Sequence, residues 1–456
     1  MKSSNNFFLR TLAPIHIGCD EVYEPTGFVV DENAQELTCF DPIDFIGSLS
    51  DKDKVLFNQI CAKVTIDSLL ELYKFMRGKP VTGRSVKLSK GLIEHYQALL
   101  AIKIGDRRLQ NDMNQFTISR TAFNINSKLP YIPGSSVKGA LRTAYLNWLA
   151  KVKPSNERKG KDLEKDLLGG AFQTDPLRLL KVSDFMPVYG VKTKIVYAVN
   201  EKKKPSKQEA RGPYQILEVI EPGSIFSGTV TIDEASPEAG IKTPLSRKLL
   251  FENAMQFYTD EKKREDTQLA AVDLTGTQYD PLKDGHLLRI GRHSGAECLT
   301  IEGHRKIKIM QGIGKPSTTS STGASTFWLA AEDRKPGLTA KSILRPFGWV
   351  TLETPYDLPE EKPEVVTVSV SQPKQEIKAV VQKPPVAEKT ALEKYCDALK
   401  LIKPTDAGKL GSVIDSALKA LAAEDDKQKF TLAVKNHMGD AFKKSKAKDK
   451  LKAYLQ

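Results

Sequence analysis

Apolar and polar positions alternate in FFLRTLAPIHIG (residues 7–18), which predicts a short strand closed by Pro14 and Gly18. GFVVDENAQELTCF (27–40) carries the same alternation on both sides of a polar stretch and predicts a hairpin turning near Asp31 to Ala34. From Asp41 to about Gln110 the period lengthens. In SLLELYKFM and KGLIEHYQALLAIKI apolar residues recur three and four apart, as amphipathic helices require. QFTISRTAF returns to strand alternation and leads into LPYIPGSSVKGALRTAYLNWL (129–149). There Pro133 and Gly134 end an extended segment and Ser135 or Ser136 is placed to cap a helix, whose Val137, Leu141, Ala144 and Trp148 share one face.

Beyond a polar loop, LRLLKVSDF, KTKIVYAVN, PYQILEVI and SIFSGTVTID predict strands. The middle pair flanks EKKKPSKQEARG, which predicts a hairpin with a basic tip at Lys202, Lys203, Lys204, Lys207 and Arg211. PLSRKLLFENAMQFYTDEKKRED is helical, GHLLRIGRHSGAECLTIEG is a strand running into a glycine-rich turn, and SILRPFGWVTLE is a last strand. KPSTTSSTGAST between them predicts a loop. Strands and helices thus alternate in blocks twice over, giving an α+β class with two packed units. From about Pro359 the composition shifts to Pro, Lys, Glu and Val, the mark of an extended linker, and helical patterns resume after Thr390.

The chain has 456 residues and a formal net charge of +13, which favours a polyanionic partner because clustered Lys and Arg displace counterions from phosphates. Its five cysteines are scattered without CxxC spacing, so neither a disulfide framework nor a zinc site is expected and a reducing cytoplasm fits. No run reaches the roughly 18–20 apolar residues of a membrane span, and the first residues lack a signal-peptide pattern. Phosphate-loop, nucleophile-elbow and HExxH motifs are absent from the sequence.

The chemistry that remains is binding chemistry. Lys138 and Arg142 stand one turn apart behind the PGSS turn, about 6 Å along the axis, close to the spacing of phosphates on an extended strand. A solvated basic face fits the same residues. Gly291 and Gly295, with Arg289, Arg292 and His293, form a second basic loop whose backbone can approach a ligand closely. His16 and His293 are the candidate general acid or base groups, although a structural role fits either. Asp20 and Asp31 near the first turn do not by themselves make a metal site.

LAPIHIG, YIPGSSVKGALRTAY, LLRIGRHSG and RPFGWV, in this order over most of residues 7–352, resemble the RAMP superfamily of CRISPR-associated RNA-binding proteins. LKVSDF and EVIEPGSIFSGTVTI, flanking the position of a β-hairpin thumb, fit the same family. Within it the chain is most similar to subunits that cap type III-A Csm effector complexes. The resemblance implies two ferredoxin-like (RRM-like) RAMP units with helical insertions, at 1–175 and 176–357, then a Pro/charged linker at 358–390 and a small C-terminal helical module at 391–456. It implies a non-catalytic, cytoplasmic subunit binding crRNA on the 3′ side of the guide and contributing to its maturation and to antiviral defence. No cofactor, metal or membrane is implied. The partners it implies are crRNA, target RNA, other RAMP subunits of the Csm complex and recruited host nucleases. His16, Gly134, Ser135, Ser136, Lys138, Arg142, Lys202, Lys203, Lys204, Arg211, Arg289, Gly291, Arg292, His293 and Gly295 would line the RNA groove. Backbone-forming relatives carry an early loop aspartate that cuts target RNA. Here more than a hundred residues separate His16 from Gly134, so Asp20 inherits no such role. A metal-independent crRNA-processing endoribonuclease using His16 or His293 is the alternative.

Overall fold

In the computed structural model, residues 5–157, 160–170, 172–206, 210, 212–236, 238, 240–241, 245–281, 285–310, 318–334, 343–358, 391–400, 402, 406–421 and 423–455 are described. Residues 1–372 and 373–456 form two compact units.

The first unit begins with β1 (Asn6–Thr11), β2 (Gly18–Val22), β3 (Phe28–Asp31) and β4 (Glu36–Cys39). A helical segment follows: α1 (Pro42–Ser48), α2 (Asp51–Ala62), α3 (Ile66–Met76), β5 (Arg84–Leu88), α4 (Lys90–Leu100) and α5 (Leu109–Gln115). Then come β6 (Ile118–Thr121), α6 (Gly134–Val152), α7 (Gly160–Leu167), β7 (Leu180–Val182), β8 (Met186–Tyr189), β9 (Thr193–Lys202), β10 (Gln215–Ile220), β11 (Ile225–Ile232) and α8 (Arg247–Ala270). The unit closes with β12 (His286–Arg289), β13 (Ile307–Met310), β14 (Thr318–Ser321), β15 (Thr326–Ala331), β16 (Arg345–Pro346) and β17 (Trp349–Glu353).

One sheet has the order β12-β17-β1-β11-β7, with β8 on another stretch of β11, and every pair is antiparallel. Alternation in β1 turns Phe7 and Leu9 into a core shared with Val137, Leu141, Ala144 and Tyr145 of α6 and Leu250, Phe257 and Tyr258 of α8. The two helices meet where the Tyr258 hydroxyl donates to the Ala140 carbonyl at 3.1 Å. The second sheet runs β2-β6-β10-β9-β5-β4-β3, and β15 flanks the far half of β9. Two of its pairs, β6 with β10 and β5 with β9, are parallel. Its central strand, TKIVYAVNEK, is apolar on both faces because both are covered. Tyr197, Val199, Phe327 and Leu329 pack against the helical segment, whereas Val196, Ala198, Leu217 and Ala330 face the other way around Phe347.

The hairpin at Asp31 forms as the pattern predicts, with the Asp31 carboxylate accepting from the Asn33 and Ala34 amides. Three expectations shift. Each sheet draws strands from both sides of residue 175, because β1 lies between β11 and β17 while β2 joins β6 in the other sheet. A strand, β5, interrupts the region expected to be helical, and another, β15, follows the small-residue loop. Both are short alternating segments, β5 set within a helix-rich stretch and β15 directly after a loop. The expected linker falls, apart from residue 358, outside the described residues.

The second unit contains α9 (Ala391–Lys400), α10 (Ala407–Ala420), α11 (Glu424–Met438) and α12 (Lys446–Leu451). Leu410, Ile414, Ala417, Phe430, Val434 and Leu451 give it an apolar interior of its own. Among the described residues no helix is long and apolar enough to cross a membrane.

Candidate nucleic-acid interface

The connection from β1 to β2 crosses from one sheet to the other, and the motifs noted in the sequence meet on it. Pro14 accepts from the Gly348 amide at 3.0 Å, His16 accepts from the Arg292 amide at 2.8 Å, and the Ile290 amide donates to Gly348 at 2.9 Å. LAPIHIG, RIGRHSG and RPFGWV are therefore one backbone-bonded junction. Two glycines make it possible. Gly291 has φ +80° and a Cβ there would stand 2.6 Å from the His16 carbonyl, while Gly348 has φ +92° and would meet Ile290 at the same distance. The PGSS turn is tied to the junction through Ala122, whose amide donates to Ile17 and whose carbonyl accepts from Tyr131.

The side chains sort into those exposed and those consumed by the fold. Arg292 is exposed and, among the described residues, its guanidinium enters no ion pair. His16 is buried, its Nδ1 bonded to the Glu218 carbonyl at 2.8 Å and its Nε2 without a partner. Burial lowers its pKa against the opposing pull of that carbonyl. His293 takes φ +64°, unusual for a residue with a side chain, and its ring stacks on Trp328 with centroids 4.5 Å apart. Burial, with Arg292 and His16 adding repulsion, pushes its pKa down to about 3.

At the start of α6 the expected roles change. The helix begins at Gly134 with Pro133 as its cap, so the serines sit in the first turn and cap nothing. A Cβ on Gly134 would lie 2.3 Å from the Val182 carbonyl, so the glycine admits protein backbone rather than RNA. Its amide already donates to the Asp184 carboxylate at 2.8 Å, which places the fold's own anion at the positive end of the helix. Lys138 donates to the Leu180 carbonyl at 2.7 Å. Arg142 is held by Asp175 at 2.8 Å and Glu164 at 2.9 Å, so it does not stand ready to neutralise a phosphate. Ser135 is exposed and Ser136 half-buried.

Two further expectations are corrected. Arg289 is 3% exposed, bonded to Glu265 at 2.6 Å and to the Phe347 carbonyl at 2.9 Å, with its guanidinium over Trp349. It braces the junction from inside. Lys203 does not project from a hairpin tip: its ammonium lies 2.6 Å from Glu297, and although burial opposes ionisation of Glu297, Lys203 and Arg264 hold it at about 2. Lys202 donates to Ser206 at 3.0 Å and Lys204 is exposed, while Lys207 and Arg211 lie outside the described residues. Gly295, at φ +76°, closes the loop beside Arg289.

Sequence reasoning missed Trp328, Gln215 and Arg120. Gln215 Oε1 lies 3.2 Å from His293 Nε2, and the Arg120 guanidinium stacks on Phe123 at 3.6 Å and on Tyr23 at 4.9 Å. The alternating TFWLAA, just beyond the predicted loop, is the available signal for Trp328.

Comparison with known proteins adds three findings. The profile of the RAMP superfamily matches residues 8–273. The CRISPR system Cms protein Csm5 of Methanocaldococcus jannaschii is 27% identical over 193 residues, 39% of this chain and 42% of that protein, so the match spans less than half the relative's length. Among solved structures, a chain of the cryo-EM structure of a Csm-crRNA-target RNA ternary complex in a type III-A CRISPR-Cas system has a TM-score of 0.49 at 20% identity. That match covers 77% of this chain and 100% of that one. The crystal structure of T. onnurineus Csm5 has a TM-score of 0.41 at 17% identity, covering 75% and 99%.

Proposed function

This chain belongs to the RAMP superfamily, and on that footing we propose that it is a non-catalytic crRNA-binding subunit capping the 3′ side of the guide in a type III-A Csm complex. The observation that carries the reading is the junction itself, where three glycine-bearing loops bond through their backbones and leave Arg292 exposed. Such a surface presents an exposed cation on a backbone-bonded frame, which suits a phosphate chain read without regard to sequence. Ser135, Ser136, Lys202, Lys204, Arg292, His293 and Gly295 form the proposed contact set. His16, Gly134, Lys138, Arg142, Lys203, Arg289 and Gly291 shape it from behind.

The order β17-β1-β11-β7 within the first sheet, with α6 falling between β1 and β7 and α8 between β11 and β17 along the chain, supports reading it as a ferredoxin-like unit. We take it as one RAMP unit and the second sheet, with its helical insertion, as the other. The exposed groups of a capping subunit would meet crRNA, target RNA and neighbouring RAMP subunits, in the cytoplasm where such complexes work.

The endoribonuclease alternative needs a histidine that exchanges protons with substrate. His16 is buried with one nitrogen bonded to backbone, and His293 holds its proton poorly at neutral pH. Incubating the purified chain with guide-length and repeat-containing RNA in EDTA tests both readings. Stable binding with intact RNA is expected. Specific cleavage abolished by His16→Ala or His293→Ala would establish the enzyme instead.

A further inference from the structure

The face of the second sheet that turns away from the helical segment carries a set of side chains that the junction alone does not explain. Antiparallel register sets Trp328 opposite Asn200, Thr326 opposite Lys202 and Ala330 opposite Ala198, and on the far side of β9 sets Gln215 opposite Ala198. Paired residues share a face, so Trp328, Thr326, Asn200, Lys202 and Gln215 lie together. Farther along the same face Val196, Ala198, Leu217 and Ala330 are apolar and buried around Phe347.

Trp328 itself is only partly buried, and its orientation is fixed. The His293 ring stacks on it, Phe347 lies 5.4 Å from His293, and Gln215 anchors the His293 nitrogen. Neighbouring Thr326 and Asn200 are themselves 3.4 Å apart through their oxygens. An indole held this way loses little conformational freedom when a second planar group stacks on it. The amides beside it offer donors and acceptors to the edge of that group. Lys202 lies on the same face, and Arg292 adjoins His293 on the loop, supplying positive charge where a backbone would continue.

We propose that Trp328 is a stacking platform for one nucleobase of a single-stranded RNA, with Gln215 and Asn200 at the base edge and Lys202 and Arg292 toward its phosphates. The inference rests on the RNA-binding reading above and adds to it a base site on the sheet face, apart from the backbone contacts of the glycine loops. Stacking on an aromatic ring tolerates every base, which fits a subunit that must accept any guide.

The test uses the full chain with two probes of equal length, a short oligoadenylate and the same backbone made abasic. Trp328→Ala should weaken oligoadenylate binding about tenfold, leave abasic binding unchanged and leave the salt slope unchanged. Trp328→Phe should keep oligoadenylate affinity within a few-fold but lose most of the tryptophan quenching seen on binding, since the other tryptophans, Trp148 and Trp349, are packed into the first core. Equal effects of Trp328→Ala on both probes, or none on either, overturn the base site while the RNA reading stands. Undiminished quenching in Trp328→Phe also overturns it, whether or not Trp328→Ala folds. Failure of the unaltered chain to bind either probe removes the RNA reading and this inference with it.

Discussion

Two basic loops in this chain look alike in sequence and end up different in the structure. The start of α6 has a glycine, two serines, Lys138 and Arg142; the loop after β12 has two glycines, Arg292 and His293. In the first, the helix N-terminus faces Asp184, Lys138 is spent on a carbonyl and Arg142 on two carboxylates. In the second, the backbone is fixed by His16 and Gly348 while Arg292 stays exposed. A motif's formal charge therefore says little about the charge it presents. What decides is whether an acidic partner lies within reach in three dimensions, and Asp175 and Asp184, 33 and 50 residues away along the chain from their partners, were invisible to local reading.

If basic groups near the junction are divided in this way, the largest effect should come from stranding the most deeply consumed one. Glu265→Ala removes the carboxylate that holds both Arg289, at 2.6 Å, and the Trp349 indole, at 2.7 Å. Left buried without its counter-ion, Arg289 should lower stability by about 3–5 kcal/mol, measured by urea unfolding. A loss under about 1 kcal/mol would show that Arg289 swings to solvent and belongs with Arg292.

Next in size is a pH effect that sharpens the description of the exposed loop. His293 drops from its ordinary 6.5 to about 3, and His95 to about 4, both chiefly through burial. The unfolded chain then binds more protons than the folded one below pH 6.5. Each histidine's contribution is complete above that value and is lost as pH falls toward its folded pKa, at ~1.4 kcal/mol per unit. Unfolding midpoints should decline from pH 7 to pH 5, and His293→Phe should shrink the decline. An unchanged decline would mean that His293 is solvated rather than stacked on Trp328.

Much of the fold was legible because it depended on local period. β1, the Asp31 hairpin and α6 with its Val137–Leu141–Ala144 face follow the period of their own residues, and β9 and β10 are short apolar runs bounded by polar ones. The C-terminal helices do as well, and they bury an interior of their own. The convergence of the glycine motifs was legible through the family resemblance rather than through spacing. The burial of the second half of α8 was not legible. DEKKREDTQLA looks like a solvated helix, yet Glu261 and Glu265 are buried where Arg305 and Arg289 come to meet them, and Lys262 is buried beside them with Asp266 one turn on. Ion pairing across the fold turns charged residues into core, and no periodicity announces it.

A smaller effect tests the consumed loop directly. Arg142→Ala leaves Asp175 and Glu164 without their shared cation, and the partial exposure of all three limits the loss to about 1 kcal/mol. Thermal melting should register that loss while RNA affinity stays close to that of the unaltered chain. A variant with normal melting and weakened RNA binding would reverse the assignment.

The central claim is that Arg292, and not the α6 pair, meets the RNA backbone. The most direct measurement is the salt dependence of RNA binding by Arg292→Ala beside Lys138→Ala/Arg142→Ala, each titrated with one single-stranded RNA over a range of salt. Losing one phosphate contact on a single strand lowers the slope by about 0.7, so Arg292→Ala should show that reduction. The double variant should keep the slope of the unaltered chain. A reduced slope in the double variant with an unchanged one in Arg292→Ala would contradict the account.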